Sequence, residues 1–353
     1  MAHSKPNILI LGGDLKRASH RRPISTWLDR LELRQFAVQL LCYAVPRPAH
    51  EHARILAIPS LASPWFRWLA IHWLRTDRRL HRPDLIHVID ESMTDLAITL
   101  AETLQVPYIQ TVNGYRTLDR GLRISRRWCR RITATSPELA SDLVTLLGVP
   151  QPLVAVVPPG VVCPELPERR DLRRGIPVIG TGGMVDSAAG FPVFLEAARL
   201  ILDSGRDAEF ILSAQGDEPV ELRRLAQDLR VGERLTVVDD ALDGIEFWSV
   251  LDIYCQPALS ATVGLRLLLA GARGLPLIAT RVKGPREMIE PGVNGLLVPP
   301  GDARGVAHAI VRLLDQPAWA LELGKAARQF VQSHHDPEVE ADRLADLYRS
   351  ALN

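Results

Sequence analysis

The most constraining feature of this chain is a rhythm that runs along it twice. Short apolar runs alternate with longer amphipathic stretches, the alternation stops at a proline-rich segment, and then it restarts. Asn7-Ile-Leu-Ile-Leu reads as a buried strand that ends in Gly12-Gly13. Ile24 to Leu33 has helical periodicity, and Phe36-Ala-Val-Gln-Leu-Leu reads as a strand. Trp65 to Arg82 is predicted helical, Leu85-Ile-His-Val-Ile a strand, Ser92 to Leu104 a helix, and Tyr108-Ile-Gln-Thr-Val a strand. Arg131-Ile-Thr-Ala-Thr and Val154-Ala-Val-Val are further strands, with a helix from Pro137 to Leu147 between them. Unbroken apolar runs suit strands buried on both faces, and strand–helix alternation places them in a parallel sheet.

Pro158, Pro159, Pro164, Pro167 and Pro177 bracket a polar stretch that contains Arg169, Arg170, Arg173 and Arg174. Beyond it, Pro177-Val-Ile-Gly, Glu209-Phe-Ile-Leu-Ser, Leu235-Thr-Val-Val, Ile253-Tyr-Cys-Gln and Leu277-Ile-Ala-Thr read as strands. Helices are expected over Phe191–Asp203, Val220–Leu229, Leu265–Arg273, Arg304–Leu314 and Pro337–Leu352. A length of 353 residues suits two domains of roughly 150–200 residues each. The expectation is an α/β chain of two Rossmann-like, doubly wound parallel-sheet domains, over 1–165 and 166–335. A last helix, 336–353, is expected to pack back on the first domain. Such sheets hold ligands at the carboxyl ends of their strands.

Composition excludes several other classes. With 47% apolar and 24% charged residues the chain is neither disordered nor fibrous. Cys42, Cys129, Cys163 and Cys255 are far apart and form no CxxC pair, which argues against a zinc ribbon or a disulfide framework; Cys42 and Cys255 read as small buried hydrophobes. No signal peptide or membrane-spanning run is read in the sequence, so a cytoplasmic protein is expected. Gly180-Thr-Gly-Gly lacks the G-x-G-x-x-G spacing of a dinucleotide-binding oxidoreductase. The net charge of +1 hides an asymmetry: up to Arg170 there are 23 Lys and Arg against 15 Asp and Glu, a net of +8, and beyond it 19 against 26, a net of −7.

From Gln256 the sequence becomes specific. The run Gln256-Pro-Ala-Leu-Ser-Ala-Thr-Val-Gly-Leu-Arg-Leu-Leu-Leu-Ala-Gly-Ala-Arg-Gly-Leu-Pro is followed by Lys283-Gly-Pro-Arg-Glu-Met-Ile-Glu-Pro-Gly-Val-Asn-Gly-Leu-Leu-Val-Pro-Pro-Gly-Asp. With Pro83-Asp-Leu-Ile-His-Val, Thr111-Val-Asn-Gly, Ile132-Thr-Ala-Thr-Ser and Val157-Pro-Pro-Gly-Val, it resembles the retaining family-4 (group 1) glycosyltransferases of the GT-B fold. The resemblance implies transfer of a sugar from a nucleotide-sugar donor to a glycan or lipid-linked acceptor, with no metal and no other cofactor. It implies a donor held by the second domain, with a cleft between domains for the reacting sugar. Donor-binding positions carried over are Gly12, Gly13, Gly183, Ser260, Ala261, Thr262, Val263, Gly264, Leu265 and Glu287. Glycines after a strand and a helix opening at Gly264-Leu265 suit a diphosphate, which needs close backbone N–H groups.

The chain departs from the family pattern where the family's chemistry resides. Ala261 and Leu269 stand at the positions of its paired cleft glutamates, Gly183 and Ala189 at those of its diphosphate-binding arginine and lysine, and Asn113 at that of a donor-contacting histidine. Alanine, leucine and glycine side chains form no hydrogen bonds. Two readings stay open. One is an active transferase whose charges come from elsewhere: Lys16, Arg17, Arg21 and Arg22 after the Gly12-Gly13 loop are candidates for a phosphate or acceptor, Asp90 and Glu91 for an acceptor hydroxyl, and Arg266, Lys283 and Arg286 flank the second-domain site. The other is a catalytically inactive homologue that binds a glycan or a partner glycosyltransferase.

The tryptophan- and arginine-rich stretch Trp65–Arg82 reads either as a surface helix that docks on anionic lipid or as an ordinary helix with tryptophans packed inward. Arg120, Arg123, Arg126, Arg127, Arg130 and Arg131 form a second basic stretch, suited to phosphate, a membrane surface or solvent. Peripheral attachment to the inner membrane face is thus one expectation. Nucleic acid is not expected as a partner, because no recognised module appears.

Overall fold

The computed structural model describes residues 5–15, 24–44, 54–62, 81–115, 118, 121–165, 175–215, 220–239, 245–261 and 264–353. It divides into two compact units, Met1–Gly160 together with Pro337–Asn353, and Val161–Asp336.

The first unit contains β1 (Asn7–Asp14), β2 (Ala37–Ala44), β3 (Arg54–Ala57), β4 (Leu85–Val88), β5 (Tyr108–Val112), β6 (Cys129–Ala134) and β7 (Val154–Val156). Its helices are α1 (Ile24–Leu33), α2 (Thr94–Leu104) and α3 (Pro137–Thr145). The second unit contains β8 (Val178–Met184), β9 (Glu209–Gln215), β10 (Leu235–Asp239), β11 (Ile253–Gln256), β12 (Leu277–Thr280) and β13 (Leu296–Val298). Its helices are α4 (Phe191–Asp203), α5 (Val220–Asp228), α6 (Ile245–Val250), α7 (Leu265–Ala272), α8 (Lys283–Met288), α9 (Ala303–Asp315) and α10 (Pro317–His334). The last helix, α11 (Pro337–Leu352), belongs to the first unit.

Each unit is built on one parallel sheet, in the order β3-β2-β1-β4-β5-β6-β7 and β10-β9-β8-β11-β12-β13. Ile8, Leu9, Ile10 and Leu11 are all fully buried, as a strand covered on both faces requires. The two sheets also begin with the same device. The N–H of Asn7 at the start of β1 donates to the Asp84 carboxylate at 2.7 Å, just before β4. The N–H of Val178 at the start of β8 donates to Asp252 at 2.8 Å, just before β11. In each case an acidic side chain satisfies a strand-end donor and fixes the spacing of two neighbouring strands.

Local chemistry sets the helix ends. Ser136 accepts the Leu139 N–H at 3.3 Å ahead of Pro137, which opens α3. Asp302 accepts the Gly305 N–H at 2.8 Å and starts α9. Helix α2 stops at Gln105, whose left-handed backbone (φ 55°) returns its N–H to Ala101, and Pro107 follows.

The structure adds elements that the sequence pattern does not announce: β3, β13, α6, α8 and the 18-residue α10. Strand β1 continues past Leu11 to Asp14, and β6 starts at Cys129. The predicted helix Trp65–Arg82 lies almost wholly outside the described residues, as do Arg120 and Arg169–Arg174. Cys42 and Cys255 are fully buried, and burial pushes both thiols up to about 12, far from a reactive thiolate.

Helix α11 is held on the first unit by an ionic seam and by a buried polar chain. Arg30 donates to Glu338 at 2.6 Å, and Arg34 to Asp342 at 2.7 Å and Glu338 at 3.0 Å. Beneath them the Tyr348 hydroxyl meets His87 Nδ1 at 2.7 Å. His87 Nε2 meets the Thr111 hydroxyl at 2.8 Å, and Thr111 meets Thr133 at 2.7 Å. One chain of side-chain hydrogen bonds therefore crosses α11, β4, β5 and β6. Glu340 on the same helix is buried and accepts the Gly160 N–H at 2.8 Å.

Candidate functional site

In both sheets the first strand lies beside the fourth, so the winding reverses direction between them. Ligands of doubly wound sheets bind at the carboxyl ends of the strands at this reversal. In the first unit that is the junction of β1 and β4. Gly13 has φ +64°, and a Cβ there would lie 1.8 Å from Asp90 Oδ2, so the position admits only glycine. Gly12 is packed between Leu15 and Leu40, each 3.0 Å from where a Cβ would stand. Asp90 is buried, and its carboxylate accepts the N–H of Ser92 at 2.9 Å and of Asp14 at 3.3 Å. It caps the short 3-10 turn Glu91–Met93, in which Glu91 is half-buried. Asn113, just beyond β5, donates from Nδ2 to the Ile89 carbonyl beyond β4 at 2.8 Å. Gly12, Gly13, Asp90, Glu91 and Asn113 thus gather at the ends of three adjacent strands. Lys16, Arg17, Arg21 and Arg22 lie outside the described residues.

In the second unit the reversal is the junction of β8 and β11. A Cβ on Gly182 would lie 2.2 Å from Nη1 of Arg266, the second residue of α7. Arg266 is only 9% exposed. The guanidinium therefore packs against the glycine, near the end of β8. The hydroxyl of Tyr254 on β11 donates to the Gly182 carbonyl at 3.4 Å. Burial raises the Tyr254 phenol well above its ordinary range, while the charge of Arg266 acts the other way.

The turn that follows β8 is fixed from within and from its neighbour. The Asp186 carboxylate accepts the N–H groups of Ala188 at 3.0 Å and Ala189 at 2.9 Å. The Leu259 N–H donates to the Ala188 carbonyl at 2.7 Å. Gly190 has φ +72°, and a Cβ there would lie 1.9 Å from the Pro257 carbonyl oxygen. The turn after β8 is thus docked on the segment after β11. That segment is tied further on: the Thr280 hydroxyl donates to the Ala258 carbonyl, and the Gly284 N–H donates to the Ala261 carbonyl at 3.0 Å. The second of these bonds connects Ala261 to α8, which carries Glu287. Gly264 caps α7 with no side chain to occupy the first-turn N–H groups, and Leu265 is the first helical residue. Thr262 and Val263 lie outside the described residues.

Ser260 is exposed, while Gly183, Ala189, Ala261, Leu269 and Glu287 are half-buried. Gly182 and Gly183 differ in a telling way. A Cβ on Gly183 would make only ordinary contacts, 3.6 Å to Phe191 and 3.9 Å to Ala189. The backbone does not force a glycine at 183, whereas the Arg266 guanidinium does at 182. Sequence reasoning placed Arg266 only among charges flanking this site. The available signal was its position in the first turn of a helix that opens with glycine. Among the described residues no three His, Cys, Asp or Glu side chains converge as metal ligands would, and no helix is long and apolar enough to cross a membrane.

Comparison with known proteins places this architecture. The family described as "Glycosyltransferase Family 4" matches residues 24–163, and "Glycosyl transferases group 1" matches residues 176–316. D-inositol 3-phosphate glycosyltransferase 1 of Catenulispora acidiphila is 30% identical over 242 residues, covering 63% of this chain and 57% of that protein. The match thus spans little more than half of that relative's length. Among solved structures, sucrose-phosphate synthase of Thermosynechococcus elongatus superposes with a TM-score of 0.79 at 20% identity, covering 98% of both chains. Anabaena Alr3699/HepE in complex with UDP-glucose gives 0.80 at 16% identity, covering 98% of this chain and 99% of that one. With a family match on each unit and two parallel sheets of the GT-B pattern, the chain belongs to the group 1 glycosyltransferases.

Proposed function

We propose that the chain transfers a sugar from a nucleotide-sugar donor to a glycan or lipid-linked acceptor, with the donor held by the unit Val161–Asp336. The observation that carries this reading is the junction of β8 and β11. A glycine-lined strand end, a helix start with an uncapped first turn and a buried guanidinium meet there, and together they suit a diphosphate. The complex of HepE with UDP-glucose supports the same class of donor. Its leaving diphosphate is stabilised by protein groups with no metal, and the anomeric configuration is retained, as in the family the chain resembles.

Calorimetry with UDP, GDP and ADP tests the reading. One of them is expected to bind, and its sugar conjugates to bind in the same site. No heat from any of the three at about millimolar concentration would sink it.

A second reading is favoured by one observation, the half-buried Ala261 and Leu269, neither of which can hydrogen-bond a sugar or a ribose. It makes the chain an inactive homologue that binds a glycan or a partner glycosyltransferase. Nucleotide binding without turnover against a panel of acceptors, or glycan binding with no nucleotide affinity, would favour it. We place the protein in the cytoplasm, at the inner membrane face. Arg126, Arg127 and Arg130 are exposed, and the Arg127 guanidinium lies 5.0 Å over the Trp128 ring, a pairing suited to an anionic lipid surface. Co-sedimentation with phosphatidylglycerol vesicles, lost on Arg126→Ala, Arg127→Ala and Arg130→Ala together, is the expected result.

A further inference from the structure

We propose that Arg266 is the diphosphate-binding cation of this chain, standing in from helix α7 for positive charges absent from the turn after β8. The inference rests on the donor assignment above and goes beyond it by naming the group that meets the leaving diphosphate.

Three observations converge on it. First, the turn after β8 offers no cation: residues Gly182 to Gly190 contain no Lys or Arg, and their one charged side chain is Asp186, whose carboxylate binds the turn's own N–H groups. Second, the second residue of α7 is an arginine that is only 9% exposed, and it reaches the end of β8 instead of solvent. Arginine at a helix start is unfavourable for the helix dipole, whose positive end is there, and burying a guanidinium costs more still. A diphosphate at the same helix start would meet both the guanidinium and the first-turn N–H groups of α7. Third, the backbone makes room for this guanidinium. Gly182 lacks the Cβ that would stand 2.2 Å from Nη1, while neighbouring Gly183 has space for a side chain and does not carry one. Glycine at 182 and arginine at 266 are a matched pair.

A planar guanidinium presents several N–H donors in a fixed fork and grips phosphate oxygens two at a time. Combined with the first-turn N–H groups of α7, it gives the departing diphosphate both charge and direction.

The test is calorimetry on the full chain with the nucleoside diphosphate that binds best among UDP, GDP and ADP, and with its parent nucleoside. Arg266→Met keeps the stem and removes the charge. It is expected to weaken the diphosphate by about tenfold to a hundredfold and leave the nucleoside unchanged. Adding Gly183→Arg to that variant is expected to restore diphosphate affinity, because position 183 has space for a cationic side chain on the same strand end. A merely structural Arg266 would not be rescued in this way. Parent-like diphosphate affinity in Arg266→Met overturns the inference and leaves the transferase reading standing. Absence of nucleotide binding by the parent chain overturns both. If Arg266→Met does not fold, Gly182→Ala decides: it keeps the charge and displaces the guanidinium. Weakened diphosphate binding in that folded variant supports the inference, and unchanged binding overturns it.

Discussion

The two strand reversals of this molecule are built alike and charged oppositely. At each, a glycine stands near the end of the first strand, where a charged side chain from a neighbouring segment fills the place of its Cβ. At Gly13 the intruder is the Asp90 carboxylate, 1.8 Å from that point, and at Gly182 it is the Arg266 guanidinium, 2.2 Å away. The carboxylate is short and is bonded to two backbone N–H groups, so it works as a clasp that shapes the turn. The guanidinium sits at the tip of a long side chain. The signs also run against the net charge of each half. The stretch up to Arg170 carries +8 and has the acid at its reversal; the remainder carries −7 and has the base. Net charge describes a surface, and a site is set by the few groups that topology delivers to it.

The largest expected effect that separates the two is on stability at the first reversal. Gly13→Ala combines a left-handed backbone with a clash against a fixed carboxylate. It should cost about 3 kcal/mol in urea unfolding. Adding Asp90→Ala should return part of that loss. A Gly13→Ala protein as stable as the parent would mean that the clasp is not rigid. Gly182→Ala should cost less, about 1–2 kcal/mol, because its neighbour can swing aside. If it costs as much as Gly13→Ala, Arg266 is held as tightly as Asp90 and the contrast fails. Asp90→Asn keeps one acceptor oxygen and turns the other into an amino group facing a backbone N–H, and should lose about 1 kcal/mol in the same measurement.

The smallest effect belongs to the exposed seam of α11, a control in which neither reversal takes part. Hydrogen bonds from Arg30 and Arg34 hold Glu338 below its ordinary value, and a bond from Arg34 does the same for Asp342. Carboxylates lowered in the folded state contribute fully above their unfolded values, and lose that contribution as pH falls through the folded ones. The small stability gap between the parent and Arg34→Ala at neutral pH should therefore close as pH drops below the carboxylate range. Thermal melts across that range check it, and a gap that widens in acid contradicts the assignment.

Much of this fold was legible in the sequence because its central strands are continuous apolar runs. Asn7–Leu11 and Leu85–Val88 could be little else. The missed elements are short or weakly apolar. Strands β3 and β13 are only four and three residues long. Helix α10 buries Ala320, Leu323, Gly324, Ala327 and Val331, a stripe of mostly small residues with a weak apolar signal. Its Gly324 exists for close packing, since a Cβ there would stand 2.1 Å from the Gly274 carbonyl oxygen. The glycines and the Gly264 cap of the candidate site were readable from motif and topology. What Arg266 does was not: an arginine in a first helical turn ordinarily faces water, and only the folded chain shows it lying on Gly182.

The hydrogen-bond chain from Tyr348 through His87 and Thr111 to Thr133 carries one more consequence. A neutral imidazole has one nitrogen that donates and one that accepts, so the Tyr348–His87 and His87–Thr111 bonds must run in the same direction. Two arrangements satisfy both of these bonds, and they differ by a concerted reversal of the hydrogens on either side of the ring. A phenol is a better donor than an alkyl alcohol, which favours the order that runs from Tyr348 inward. The seat of the last helix therefore has a polarity of its own: the tautomer of a histidine deep in the sheet is written by a tyrosine on the last helix.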